Sequence, residues 1–306
     1  MSPLRIGSAE IERILEWVGP IKTVDEMFPD TPPASWTEHL APEHWTPASR
    51  AYRAAIQTWV IRSAGRTILI DTGVGNDRDR PQVPVFDHLD TDFLQQLAGI
   101  GVQPADVDVV INTHIHYDHV GWNTRLDGTS WVPTFPNATY LVPQLDYEYF
   151  HPDNAERMRP PQTEDERARF EGIRLVFSDS IAPVADSGQL QTWQHDHRVD
   201  QHLRLEPAPG HTPGSSVVWL ETGSGAVFVG DLIHTPVQLG RPDDRCSFDL
   251  DPRRARVSRR AVLTAAARSG AALFPAHFAG HGAATITPGQ ETGFAVDQWT
   301  TTLPAV

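Results

Sequence analysis

An apolar run, Val107 to Ile111, leads almost at once into Thr113-His114-Ile115-His116-Tyr117-Asp118-His119, a segment with four potential metal ligands. The run reads as a buried strand, so the histidines emerge where a chain leaves a sheet and can aim several side chains at one point. Alternation in an extended loop sets His114 and His116 on one side, while Asp118 and His119 fall in the turn into the next helix. One such loop can address two adjacent cations. Cys246 is the only cysteine, which excludes an internal disulfide and a thiolate-rich site. Any metal here must therefore be held by imidazole and carboxylate, and Cys246 is expected to have no part in the chemistry.

Three more such residues sit just beyond apolar runs. His211 follows Leu203 to Leu205 inside the tight turn Pro209-Gly210-His211-Thr212-Pro213-Gly214. Asp231 ends the run Ala226 to Gly230, and His277 follows Leu273-Phe274-Pro275-Ala276. Each alone would read as a loop residue. Together with the histidine cluster they read as ligands.

The rest of the chain alternates strand and helix signals. Ala55 to Arg62 and Arg66 to Ile70 form a hairpin about Ser63-Ala64-Gly65, and a helix is expected near Asp92 to Ala98. Strands are expected at Thr139 to Val142, Ile173 to Phe177, Leu203 to Leu205, Ser216 to Leu220, Ala226 to Val229 and Ala271 to Pro275. Asp251 caps a helix over Pro252 to Ser269 that Gly270 closes. Residues 1–50, rich in proline and tryptophan, read as an N-terminal arm that packs on the domain or on a partner subunit, and residues 51–306 as the catalytic domain. The Trp-bearing arm makes a homodimer an expectation. A charged insert, residues 144–172, carries Tyr147, Tyr149, Phe150 and Phe170; it is either a solvated helical hairpin or a substrate lid. Asn137-Ala138-Thr139 matches a glycosylation acceptor, and without a recognisable secretory signal the match is expected to be accidental.

Composition narrows the function. The formal net charge is −14 and no basic run appears, which speaks against nucleic acid as a partner. No stretch approaches the ~18 apolar residues of a membrane span, so a cytoplasmic protein acting on a small molecule is expected. Lys22 is the only lysine, read as composition bias.

The set His114-x-His116-x-Asp118-His119, Gly210-His211-Thr212-Pro213-Gly214, Gly230-Asp231 and His277, with Asp71-Thr72-Gly73 before it, resembles the metallo-β-lactamase superfamily over about residues 50–285. That resemblance implies an α/β fold, the αβ/βα sandwich, with two mixed sheets packed face to face, helices outside and metals at one edge. It implies one ion on His114, His116 and His211, a second on Asp118, His119 and His277, Asp231 bridging both, and Asp71 as a loop organiser. His119-Val120-Gly121, Pro136-Asn137-Ala138 and Pro275-Ala276-His277-Phe278 resemble the branch of N-acyl homoserine lactonases and methyl parathion hydrolases.

The chemistry that this implies follows from charge. Two divalent ions, two aspartates and a bridging hydroxide leave the core near +1, suited to an oxyanion. The hydroxide would attack an ester or lactone carbonyl, and Asp118 would pass a proton to the leaving alkoxide. The ligand types suit two Zn²⁺ best, with Mn²⁺, Co²⁺ or Fe²⁺ also accommodated. His234 is a candidate donor to the substrate carbonyl; Trp122, Phe150 and Phe278 are candidates for an apolar pocket wall, and His281 for a group behind the ligands. His195, His197 and His202 read as a solvated strand edge. Phosphotriester hydrolysis, an iron-dependent oxidoreductase on the same fold, and a binding protein without turnover are the competing functions. Asp231 disfavours a true β-lactamase, the charge disfavours a nuclease, and the absence of basic residues after His211 disfavours a glutathione thioester hydrolase.

Overall fold

Strands buried on both faces explain why the apolar runs are continuous. A computed structural model describes residues 3–157, 162–289 and 292–300. The strands before residue 194 are β1 (Leu4–Ile6), β2 (Ala9–Thr23), β3 (Trp45–Thr46), β4 (Ala51–Ser63), β5 (Arg66–Ile70), β6 (Val109–Ile111), β7 (Thr124–Asp127), β8 (Ser130–Pro133), β9 (Thr139–Pro143) and β10 (Leu190–Trp193). Those after it are β11 (His197–Arg198), β12 (Leu203–Pro207), β13 (Ser216–Leu220), β14 (Ala226–Gly230), β15 (Ala272–Pro275), β16 (Ala284–Pro288) and β17 (Phe294–Trp299). Helices are α1 (Val24–Met27), α2 (Phe93–Gly99), α3 (Gln144–Phe150), α4 (Glu164–Val176), α5 (Ala182–Asp186), α6 (Val237–Gly240) and α7 (Pro252–Ser269).

One sheet runs β1-β2-β4-β5-β6-β9-β10 with β3 beside β4; the other runs from β11 to β17 in chain order, and β7 and β8 form a separate hairpin. Both large sheets are mixed, with β5, β6, β9 and β10 parallel in the first and β14 and β15 parallel in the second. Period-two alternation builds the layers. Trp59, Ile61, Ile68, Ile70 and Ile111 of the first sheet meet Leu205, Val218, Phe228 and Phe274 of the second. One residue away, Val60, Leu69 and Val110 face outward onto Phe93 and Leu97 of α2, while Val227 and Val229 face Val262 and Leu263 of α7. The order is helix, sheet, sheet, helix, as expected. Helix α7 has the expected ends: the Asp251 carboxylate accepts the Arg254 N–H at 3.0 Å, and Gly270 is left-handed at φ 70°.

The N-terminal reading needs correction. Residues 4–23 are not an arm but β1 and the 15-residue β2, which pairs with β4 from Glu10 to Thr23. The prolines after Pro20 all lie beyond Thr23 and interrupt no strand. Trp36 and Trp45 are buried with Phe28 and Tyr52 in the chain's own core, so they call for no partner subunit. Ile173 to Phe177 is not a strand either; it ends α4 and enters a π turn, since a short apolar run does not by itself distinguish helix from strand. The insert 144–172 folds as α3, a 3-10 turn and α4, with residues 158–161 outside the described residues. Among the described residues no helix is long and apolar enough to cross a membrane.

Candidate metal centre

Antiparallel pairing of β12 with β13 and of β13 with β14 brings the C-terminal ends of β12, β14 and β15 to one edge. His211, Asp231 and His277 follow those ends, as His114 to His119 follow β6. The turns are forced tight. Gly230 has φ 48°, and a Cβ there would meet Thr113 Oγ1 at 2.6 Å, so only glycine lets β14 pass the histidine loop and deliver Asp231.

The expected ligands converge. His114 Nε2 lies 3.0 Å from His116 Nδ1, His211 Nε2 lies 3.1 Å from His116 Nδ1, and Asp231 Oδ2 lies 3.1 Å from His211 Nε2 and 3.7 Å from His114 Nε2. Four ligands arranged tetrahedrally at about 2.0–2.1 Å from Zn²⁺ stand about 3.3 Å apart, which is the spacing found. A second group gathers on the other oxygen: Asp231 Oδ1 is 3.1 Å from His119 Nε2 and 2.9 Å from His277 Nε2, with Asp118 at 3.7 and 3.6 Å from the same rings. His119 Nε2 and Asp231 Oδ1 are buried and face each other, yet neither has a hydrogen-bond partner. Facing lone pairs of this kind are what a shared cation satisfies, so the donor set fits metal.

The rings are held from behind. Asp71 Oδ2 accepts the His119 Nδ1–H at 2.9 Å, Asp249 Oδ1 accepts the His211 Nδ1–H at 3.2 Å, and the Ala55 carbonyl accepts the His277 Nδ1–H at 2.9 Å. Thr113 Oγ1 donates to Asp71 Oδ2, which leaves its lone pair for the His114 Nδ1–H at 3.1 Å. Since these partners accept, each ring keeps its Nδ1–H outward and turns Nε2 to the cluster, where it can ligate once any proton it holds is displaced. Asp71 is itself left-handed at φ 55° and also accepts the Thr113 N–H at 2.8 Å, matching its expected role as organiser. Burial opposes ionisation of Asp231, but four imidazoles, His277 foremost, hold its carboxyl well below the usual range. Burial keeps His114 and His116 well below the ordinary imidazole value.

A cavity of about 450 Å³ opens onto the cluster, lined on its apolar side by Ile21, Met27, Val83, Phe150, Ile173 and Phe248. Phe150 stands in this wall, edge-on to His116 at 5.9 Å. His234 lines the same cavity with Nε2 3.2 Å from Asp231 Oδ2 and its carbonyl held by the Tyr52 hydroxyl at 2.9 Å. The other two wall candidates are elsewhere. Trp122 turns outward to stack on Phe93 at 5.1 Å and donates Nε1–H to Glu16 at 2.7 Å. Phe278 packs against His44 and Trp299. His281 donates its Nδ1–H to the Thr300 carbonyl at 3.1 Å, away from the ligands, and His197 lies in the edge strand β11. Cys246 is nearer than expected, its Sγ 3.8 Å from His234 Nε2.

Sequence reasoning missed three carboxylates. Asp146 is buried and accepts the Ile115 N–H at 3.0 Å, the Thr212 hydroxyl at 2.8 Å and the Gly214 N–H at 2.5 Å, tying the two histidine loops together. Burial pushes its pKa up to about 6 against those donors. Asp249 backs His211, and Glu16 of β2 supports the loop after Asp71. Lone acids of this kind carry no local signal; only Asp249, two residues before a helix cap, stood near a recognised feature.

The fold and these paired His/Asp groups define the class of αβ/βα sandwiches built to hold metal at the sheet edge. The chain belongs to the metallo-beta-lactamase superfamily, whose family model matches residues 52–277. It is 41% identical over 135 residues to N-acyl homoserine lactonase AttM of Rhizobium radiobacter, a match that covers 43% of this chain and 42% of that protein, less than half of either. Among solved structures it is similar to hydrolase AbOPH of the beta lactamase superfamily, with TM-score 0.79 and 25% identity over 97% of this chain and 96% of that one. It also shares its fold with AidC, a dizinc quorum-quenching lactonase solved with the product N-hexanoyl-L-homoserine, with TM-score 0.74 and 20% identity over 98% and 97% of the two chains.

Proposed function

We propose that the protein is a dinuclear-metal-dependent hydrolase of a small ester or lactone. The observation that carries this reading is Asp231, whose two oxygens face two separate ligand groups, His114, His116 and His211 on one side and Asp118, His119 and His277 on the other. Two divalent ions held there, Zn²⁺ by ligand type, would supply an acidified water and a Lewis acid for the carbonyl. The resemblance to AttM supports a lactone among the candidate substrates.

The chain's own residues do the rest. Ile21, Met27, Val83, Phe150 and Phe248 exclude water and take up an acyl chain. His234 is locked by the Tyr52 hydroxyl on its carbonyl and by Gln238 Oε1 on its N–H at 2.8 Å, and its ring stacks on His277 at 5.4 Å. Burial holds its pKa down, so it is a neutral imidazole able to donate one hydrogen bond to the carbonyl oxygen of a bound substrate. Asp118 lines the cavity and is placed to carry a proton to the leaving oxygen.

The test is a substrate panel on protein loaded with zinc, manganese or cobalt: N-acyl homoserine lactones, aryl esters and aryl phosphotriesters. Turnover of lactone or ester is expected. Turnover of phosphotriester alone would reassign the reaction to phosphorus, and bound iron with dioxygen uptake and no hydrolysis would overturn the proposal.

A further inference from the structure

The single lysine of the chain stands in the wall of the substrate cavity. Every other Lys/Arg position of the chain is arginine, and among the described residues no arginine lines that cavity. A break in β2 puts Lys22 there. The register with β4 shifts between Pro20 and Thr23, leaving Ile21 and Lys22 outside the ladder, and both line the cavity. Bulges turn side chains out of strict alternation in this way, and they recur beside active sites.

The ammonium is held but not neutralised. Lys22 Nζ lies 5.5 Å from the centroid of the Phe248 ring, which also lines the cavity. Its charge reaches Glu26, and that carboxylate already accepts the N–H and the hydroxyl of Thr23. Three further carboxylates line the cavity and all are engaged: Asp118 and Asp231 with the imidazoles, Asp249 with His211 and Arg259. Among the described residues no carboxylate forms an ion pair with it, so a cation on an apolar wall is what a ligand meets. The chain carries a net charge of −14, which repels anions in general, so a local cation inside the pocket has a selective effect that the surface lacks.

We propose that Lys22 is a specificity residue that selects substrates bearing a carboxylate at the end remote from the bond to be cleaved. The scissile end must sit on the His/Asp cluster, the aliphatic middle on Ile21, Met27 and Val83, and the carboxylate on the Lys22 ammonium beside Phe248. This inference rests on the hydrolase reading for its kinetic test and on ligand binding alone for its second test.

The kinetic test compares p-nitrophenyl hydrogen suberate with p-nitrophenyl octanoate on the metal-loaded protein. The wild type is expected to favour the carboxylate ester by about tenfold in kcat/KM, carried by KM and shrinking as salt is raised. In Lys22→Met that ratio is expected to fall to near one, in Lys22→Arg to persist in part, and in Lys22→Glu to invert. A ratio near one in the wild type, or one unchanged in Lys22→Met, overturns the proposal while leaving the hydrolase intact. Hydrolysis of neither ester, lactone nor phosphotriester would instead sink the functional reading. The second test then decides: reductive methylation with ¹³C-formaldehyde labels one ε-amine, identified by its absence in Lys22→Arg. Its resonance is expected to shift with suberic monoamide and not with octanamide; equal or absent shifts reject the role of Lys22.

Discussion

Asp249 Oδ1 lies 3.2 Å from His211 Nδ1, and this contact fixes which nitrogen of His211 faces the candidate metal site. The carboxylate is itself held by the Cys246 N–H at 3.1 Å and by Arg259 Nη2 at 3.2 Å. Burial opposes its charge, but His211 and Arg259 keep its pKa below the usual carboxylate range. Asp249→Ala frees the ring to rotate and lowers its basicity, so metal affinity is expected to fall about 10–100-fold. Competition with a chromophoric chelator measures this. Affinity equal to wild type would show that Asp249 does not orient the ligand.

Asp231 and Asp118 should behave differently, although both are aspartates at the cluster. Asp231 offers one oxygen to each ligand group, whereas Asp118 stands beside His119 and His277 of the second group. Asp231→Ala is therefore expected to lose both ions and all turnover, and Asp118→Ala to keep about one ion per chain on the other group. Metal analysis after gel filtration reads the stoichiometry directly. Two ions retained in Asp231→Ala would remove the bridge.

Proton and cation compete for the same imidazoles. Without metal, burial works against a charged His211, but Asp231 and Asp249 outweigh it and push its pKa up to about 9 from an ordinary value of 6.5. A raised imidazole pKa stabilises the metal-free fold fully below about 6.5 and loses that contribution as pH climbs through about 9, an effect on the order of 3 kcal/mol. Metal needs the bare ring, so affinity rises over the same window by about tenfold per pH unit for each proton displaced. Thermal melts from pH 6.5 to 9 are expected to fall for the stripped protein and to hold or rise under limiting zinc. Parallel curves for the two forms would show that His211 is not protonated in the absence of metal.

The candidate ligands were legible because the chain concentrates them at strand ends: four lie in one loop after β6, Asp231 and His277 each follow a doubly buried apolar run, and His211 follows the half-buried β12. Helix α7 was legible through its caps, Asp251 and Gly270. The pocket was not. Trp122 and Phe278 are adjacent in sequence to ligand loops, but adjacency does not say on which side of a loop a side chain emerges, and both turn into the outer cores. Strand β2 was hidden by the prolines of residues 20–47, which mask the alternation before them, although Ala9, Ile11 and Ile14 are buried strand positions and the proline-rich part begins only after the bulge. Lys22, Asp146 and Glu16 act across contacts far apart in sequence, which no local pattern encodes.

Glu16 makes the cost of overlooking that strand concrete. It is a buried carboxyl on β2 that accepts the Val74 N–H at 2.6 Å, the Gly75 N–H at 3.1 Å and the Trp122 Nε1–H at 2.7 Å, and it fills the space beside Gly73. Burial pushes its pKa up, while those three donors pull it down. Val74 and Gly75 belong to the loop that starts at Asp71, the residue behind His119, and Trp122 to the turn that follows His119, so an N-terminal strand braces a candidate metal ligand from two contacts away. Glu16→Ala strands the donors in a dry site and is expected to cost about 3 kcal/mol or more, from roughly 1–3 kcal/mol per unsatisfied group. Glu16→Gln keeps one acceptor oxygen but turns an amide N–H toward the other donors, so about half that loss is expected, with weaker metal binding in both. Urea denaturation with and without zinc separates the two effects. Stability lost with metal affinity intact would mean that Glu16 supports the sheet but not Asp71, and full stability in Glu16→Ala would contradict the hydrogen-bond network itself.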